Sequence, residues 1–328
     1  MTVPLAERYR DRLPVTDETP VVTLGEGSTP LIPAPRLSEE LGIELWLKCE
    51  GTNPTGSFKD RGMTIAVSKA LEEGFAAVVC ASTGNTAASA AAYAARAGIT
   101  AVILQPAGAV ARGKITQAQA VGARVLAVQG TFEAALDAAR ELGRRGTHAL
   151  VNSLNPYRLE GQKTAAFEIV EALGRTPDAL ALPYGGGGNT RAYALGFDEA
   201  GDGLPRFVVG EASARAYTMA TAIRIAEPTH RELADEAIAR SGGTTVPLAD
   251  EELIGAWRDL AELEGVFCEP SSAAGIAALR RERPEAGSLV VCVVTGHGLK
   301  DPDAAGRFSA PPIPVPADLD AIAEAASP

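Results

Sequence analysis

The run from Leu289 to Thr295 reads LVVCVVT, with no polar alternation. A strand with one wet face alternates. A strand that is apolar throughout is covered on both faces, as in a parallel sheet. Similar short apolar runs predict strands at Ile43–Cys49, Ala76–Ala81, Thr100–Leu104, Ala123–Val128, Ala149–Asn152, Ala179–Pro183 and Phe207–Glu211. Alanine-rich stretches between them predict helices over Phe58–Glu73, Thr86–Ala97, Lys114–Val121, Phe132–Arg145, Gln162–Leu173, Glu251–Glu264 and Ser272–Arg281. Strand–helix alternation of this kind specifies an α/β fold built on open twisted sheets. Two domains fit better than one. Residues 62–151 form a compact series of ordinary domain size, and residues 1–61 with 152–328 form a second, larger one. The tail from Ala310 is proline-rich and then weakly helical, the pattern of a surface arm.

Bulk properties exclude several classes of function. The net charge of −11 and pI of about 4.9 argue against nucleic-acid binding, which normally needs a basic face. They also mean that an anionic ligand must be drawn in by a local positive site. Cys49, Cys80, Cys268 and Cys292 lie in apolar runs without CxxC spacing, so buried free thiols are expected rather than disulfides. Three histidines, scattered at 148, 230 and 297, predict no metal centre. The N-terminus lacks an apolar signal region, and Arg96 and Gly98 break the alanine-rich stretch Ala87–Leu104. A cytoplasmic enzyme without membrane contact is the expectation.

In open α/β sheets, ligands bind beyond the carboxyl ends of the strands. Four loops there carry chemistry. The first, Asn53 to Arg61 (NPTGSFKDR), enters a helix with Ser57 placed to cap it and Lys59 in the first turn. The positive end of a helix dipole disfavours a cation and so favours a neutral, nucleophilic amine. The plainer alternative is a solvated Lys59 paired with Asp60. The second loop, Ser82 to Thr86 (STGNT), gathers hydroxyls, an amide and helix-start N–H groups that suit a carboxylate. The third, Gly185 to Asn189 (GGGGN), lets the backbone aim several N–H groups at one phosphate. It fits neither GxGxxG nor GxxxxGK[ST], so no nicotinamide or ATP site is indicated. The fourth, Thr295 to Asp301 (TGHGLKD), puts a hydroxyl at a strand end. Asn152, Ser153 and Arg158 follow another strand, and a guanidinium fork suits a second anion.

Read in order, NPTGSFKDRGM, STGNT, NSLNPYRLEGQKT, GVFCEPSSA and TGHGLKDP resemble the motifs of the threonine synthase family, from about Thr29 to Asp303. The resemblance implies a fold type II pyridoxal-phosphate enzyme, with the active site between two α/β domains. It implies a lyase of threonine biosynthesis that converts O-phospho-L-homoserine and water to L-threonine and phosphate, working as a homodimer. Lys59 would carry pyridoxal 5'-phosphate as an imine, with Phe58 beside it. Asn85 would bond the ring hydroxyl, Gly185, Gly186, Gly187, Gly188 and Asn189 would cradle the phosphate, and Thr295 would face the ring nitrogen. Ser82, Thr83 and Thr86 would hold the substrate carboxylate, and Asn152, Ser153 and Arg158 its phosphate.

Three departures keep other substrates open. GGGGN stands where the family commonly has GNAGN, and it looks more like serine/threonine dehydratases and serine racemases. His297 stands where many members carry Asn. The segment 210–222 is shorter than in typical members. A threonine or serine dehydratase, a synthase using O-phosphoserine (as in cysteate synthesis) or a specialised threonine synthase paralogue are the alternatives.

Overall fold

A computed structural model describes residues 3–108, 112–201, 203–308 and 310–327. Met1, Thr2 and Pro328, at the two ends considered above, lie outside them. Ten strands are present among the described residues: β1 (Leu31–Pro33), β2 (Glu44–Cys49), β3 (Ala77–Ala81), β4 (Thr100–Pro106), β5 (Arg124–Val128), β6 (Ala149–Leu150), β7 (Ala179–Pro183), β8 (Arg206–Ala212), β9 (Thr244–Leu248) and β10 (Leu289–Val294). They form two sheets, a six-stranded one in the order β1-β2-β10-β7-β8-β9 and a four-stranded one in the order β5-β4-β3-β6. Every pairing is parallel except β1 with β2. The apolar run noted first is β10, buried along its whole length between β2 and β7.

Six helices bear on the chemistry: α1 (Lys59–Glu72), α2 (Asn85–Ala97), α3 (Pro156–Leu173), α4 (Gly188–Ala200), α5 (Arg231–Arg240) and α6 (Ala274–Glu282). Each of the expected strands and helices has a counterpart, with ends shifted by a few residues. The largest shift is in α3, which begins at Pro156 rather than Gln162. Proline at its first position needs no donor, and the Asn155 side chain caps it by accepting the Tyr157 N–H at 2.9 Å. Ser57 does not cap α1. Phe58 occupies that position in helical conformation, and the Ser57 hydroxyl is buried without a partner.

Three helices stack at backbone distance. A Cβ on Gly161 of α3 would lie 1.9 Å from the Arg61 carbonyl oxygen, and one on Gly62 of α1 would lie 2.5 Å from the Arg158 carbonyl. On the other side of α3, a Cβ on Gly196 of α4 would lie 2.3 Å from the Lys163 carbonyl. Only glycine permits these approaches, and they lock α1, which begins with Lys59, against α3, which carries Arg158. No described helix is long and apolar enough to cross a membrane.

A Gly161→Ala variant should therefore lose about 3 kcal/mol of stability through overpacking against backbone. Gly255→Ala, in the helix Asp250–Glu262 with nothing within 4 Å of the added carbon, should gain about 0.5–1 kcal/mol. Urea midpoints of the two variants measure both; equal shifts would refute the packing account.

Candidate active site

The loops singled out in the sequence converge at the carboxyl ends of β2, β3, β6, β7 and β10. Two backbone contacts hold the Lys59 loop against the end of β10: the Phe58 N–H donates to the Thr295 carbonyl at 3.1 Å, and the His297 N–H donates to Gly56 at 2.9 Å. The Lys59 ammonium lies 4.2 Å from the Phe58 ring centroid. Lys59 is half-buried. Burial, with Arg158 adding to it and Glu269 opposing it, pushes its pKa down to about 7.

Asp60 is not the partner of Lys59. Its carboxylate accepts the Thr55 N–H, the Thr55 hydroxyl and the Ser89 hydroxyl, each at 2.6 Å. Burial pushes its pKa up to about 6 against those hydrogen bonds. The solvated ion-pair alternative for Lys59 is thereby overturned. Asp60 ties the loop to α2 and leaves the amine to the cleft.

The second loop begins α2. Ser82 Oγ accepts the Gly84 N–H at 3.1 Å, while the N–H groups of Thr83, Asn85 and Thr86 find no acceptor among the described residues. Ser82, Thr83 and Thr86 are half-buried. The Asn85 amide nitrogen donates to Glu269 at 2.9 Å, and its oxygen is buried without a partner. Glu269 is itself 1% exposed and lies against Gly296, where a Cβ would come within 2.4 Å of its carboxylate. It links the two sheets across the cleft.

The glycine loop opens α4. Gly187 has φ +80 and an added Cβ would meet the His230 carbonyl at 3.0 Å, so this one position requires glycine twice over. The Asn189 amide nitrogen and Thr190 hydroxyl are buried without partners beside the free N–H groups of Gly185 to Asn189. Such a cluster of donors at a helix start has the chemistry to suit an anion. Thr295 is 5% exposed, and its hydroxyl pairs with that of Ser272 at 2.9 Å.

The fifth loop divides in its roles. The Asn152 amide is engaged at both ends, accepting the Ala81 N–H at 3.0 Å and donating to the Ala81 carbonyl at 2.9 Å. It thus clamps the end of β3 beside the Ser82 loop. Ser153 is half-buried. Arg158 is wholly buried and donates through Nη1 to the Val151 carbonyl at 2.9 Å, with Nε and Nη2 unpartnered. Burial pushes its pKa down to about 10, so it remains a cation near neutrality.

Sequence reasoning did not single out Glu269 as an electrostatic neighbour of Lys59, the hydroxyl of Ser272, or His230. Glu269 and Ser272 lie in EPSSA, which reads as a helix cap. Nothing local marks His230, because its partners are distant in sequence.

Known proteins match this arrangement. The family described as pyridoxal-phosphate dependent enzyme matches residues 22–296. A threonine synthase from Synechocystis sp. is 50% identical, covering 98% of this chain and 90% of its own. One from Halalkalibacterium halodurans is 51% identical, covering 92% and 90%. Among solved structures, maize serine racemase superposes with a TM-score of 0.74 at 22% identity, covering 85% and 91%. That likeness shows the fold.

An amine whose pKa is about 7 is a neutral nucleophile above that pH and an unreactive cation below it. The rate at which cofactor-free protein captures pyridoxal phosphate, followed by absorbance, should therefore rise with pH to a plateau with a midpoint near 7. Arg158→Met should move the midpoint up, and Glu269→Gln should move it down. Unmoved midpoints would show that neither charge acts on Lys59.

Proposed function

This chain belongs to the pyridoxal-phosphate-dependent enzymes, and we propose that among them it is a threonine synthase, a lyase converting O-phospho-L-homoserine and water to L-threonine and phosphate. The observation that carries the reading is the pairing of two groups in one cleft. Lys59 is a lysine whose pKa burial and Arg158 push down to about 7, and Arg158 is a buried guanidinium with two donors unpartnered among the described residues. The first suits an aldehyde cofactor and the second a phosphorylated substrate.

The residues fit pyridoxal phosphate on chemical grounds. Lys59 Nζ would take its aldehyde carbon, with Phe58 alongside. The N–H groups of Gly185, Gly186, Gly187, Gly188 and Asn189, with the orphaned Asn189 amide, would take its phosphate. The orphaned Asn85 oxygen would meet its ring hydroxyl, and Thr295, backed by Ser272, would offer its ring nitrogen a neutral hydroxyl. When bound, the cofactor withdraws electrons from the attached amino acid, so that protons beside the point of attachment become acidic.

The chain's own residues then do the following. The Ser82, Thr83 and Thr86 hydroxyls and the open N–H groups at the start of α2 hold the substrate carboxylate. The Lys59 amine would take the proton from Cα and move protons at Cβ and Cγ. An amine titrating at about 7 does this near neutral pH. Arg158, with Ser153 nearby, holds the phosphate as its bond to Cγ breaks, balancing charge on the leaving group before water adds at Cβ. Asn152 keeps the Ser82 loop and the Arg158 loop in register through Ala81.

In the same reading the enzyme is a cytoplasmic homodimer. Residues 62–151 form its small domain, and residues 1–61 with 152–328 form its large one. Its four cysteines are free and buried, which suits a reducing compartment.

The all-glycine cup favours a second reading, a dehydratase acting on threonine or serine. Purified enzyme given phosphohomoserine should release phosphate and threonine in equal amounts. Release of 2-oxobutyrate from threonine, with phosphohomoserine untouched, would establish the second reading instead. Arg158→Met should lower kcat/KM for phosphohomoserine by about 10- to 100-fold, the worth of lost charge-assisted hydrogen bonds.

A further inference from the structure

His230 lies between the glycine cup and the Ser153 loop, touching both. Its N–H donates to the Gly186 carbonyl at 3.0 Å. Its own carbonyl sits 3.0 Å from where a Cβ on Gly187 would be, and ring Cδ2 sits 3.4 Å from a Cβ on Gly188. Ring Nε2 lies 2.8 Å from the Ser153 carbonyl oxygen. A carbonyl only accepts, so Nε2 carries the hydrogen. This bond joins segments 77 residues apart.

We propose that His230 is a positioning residue that fixes the substrate-phosphate loop against the cofactor-phosphate cup, setting the affinity of Ser153 and Arg158 for phosphate. This rests on the reading that Arg158 receives a phosphate. The Ser153 carbonyl lies two residues before Asn155, which caps α3, and five before Arg158, so holding it sets where the guanidinium points. His230 is 7% exposed. The charged groups facing it are Lys59 from α1, Arg158 from α3 and Arg191 from α4. Burial lowers its pKa, the bond to Ser153 opposes this, and Arg191, Lys59 and Arg158 lower it further. The ring is therefore neutral at pH 7, which a lysine or arginine in its place would not be. A hydrophobic side chain would fill the space and leave the Ser153 carbonyl untied.

The test uses holoenzyme with inorganic phosphate as the probe, and with L-threonine as a ligand that binds through its carboxylate. His230→Phe should weaken inhibition by inorganic phosphate about tenfold, as expected for one lost buried hydrogen bond. It should leave the L-threonine-induced absorbance change at the same concentration. His230→Gln, whose amide nitrogen comes near the position of Nε2, should recover most of the phosphate affinity. General loosening would weaken both ligands in both variants, and that result overturns the proposal, as does wild-type phosphate affinity in His230→Phe. Should His230→Phe fail to fold, His230→Asn, whose shorter amide does not reach Ser153, carries the same comparison. Wild-type enzyme that binds phosphate but leaves phosphohomoserine unchanged would sink the threonine synthase reading alone.

Discussion

Arg61 is the residue on which the position of the active-site amine depends. It is wholly buried two residues after Lys59, and its guanidinium is held on both sides. Nε and Nη2 donate to Glu50 at 2.7 and 2.8 Å, and Nη1 and Nη2 donate to Glu168 at 2.8 and 2.7 Å. Lys48 shares Glu168 at 2.7 Å. The cluster is thus neutral, with Arg61 and Lys48 against Glu50 and Glu168. Removing one member of such a buried set leaves an uncompensated charge, which typically costs 3–5 kcal/mol. Glu50 follows β2, Glu168 lies on α3, and Arg61 lies on α1, so one charge cluster fixes three elements. The glycine contacts at Gly62 and Gly161 let α1 and α3 come close enough for it to close. The site is therefore set from behind, by groups that touch no ligand.

The electrostatics in front of that cluster differ from those of the chain as a whole. A net charge of −11 would repel a phosphorylated amino acid at long range. At physiological ionic strength, fields from exposed charges are largely screened beyond about 8 Å. Within that distance the cleft presents Lys59 and Arg158, with Arg191 close by, and a neutral His230. The buried Glu269 is the near countercharge. Local cations therefore outweigh the acidic surface within the cleft, while that surface governs solubility. Burial, with Arg191, Lys59 and Arg158 adding to it, keeps the ring of His230 neutral, so that it can serve as a donor of fixed tautomer.

What was legible in the sequence follows from the range of the interaction behind each feature. The strand-end loops were legible because their chemistry is local. Runs such as STGNT and GGGGN hold more polar and glycine residues than a turn requires. The interior strands were legible because burial on both faces removes alternation. The strands β1 and β9 were not. Both are short edge strands, three and five residues long, and each carries a proline, Pro33 and Pro247, as an edge tolerates. Their composition therefore reads as loop. The Arg61 cluster, the Asn85–Glu269 link and the His230–Ser153 link were hidden for another reason. Their partners lie 107, 184 and 77 residues apart, and nothing in a local pattern marks which distant residue a buried polar group will meet.

Lys59 shows how the right expectation can come from a minor cause. Its place in the first turn of α1 suggests that the helix dipole depresses its pKa. A dipole at a helix end is worth about 0.3–1 kcal/mol. The gap between the ordinary lysine value of 10.5 and about 7 corresponds to about 5 kcal/mol. The dipole is too small by several-fold, and burial is the largest cause, with Arg158 second. Asp60 is what allows this. Had its carboxylate faced the amine, the pair would have held the proton on Lys59. Engaged by Thr55 and Ser89 instead, it leaves the amine enclosed with a second cation in reach. The reactivity of the site thus comes from where a neighbouring carboxylate is turned, which the order of residues in SFKDR does not reveal.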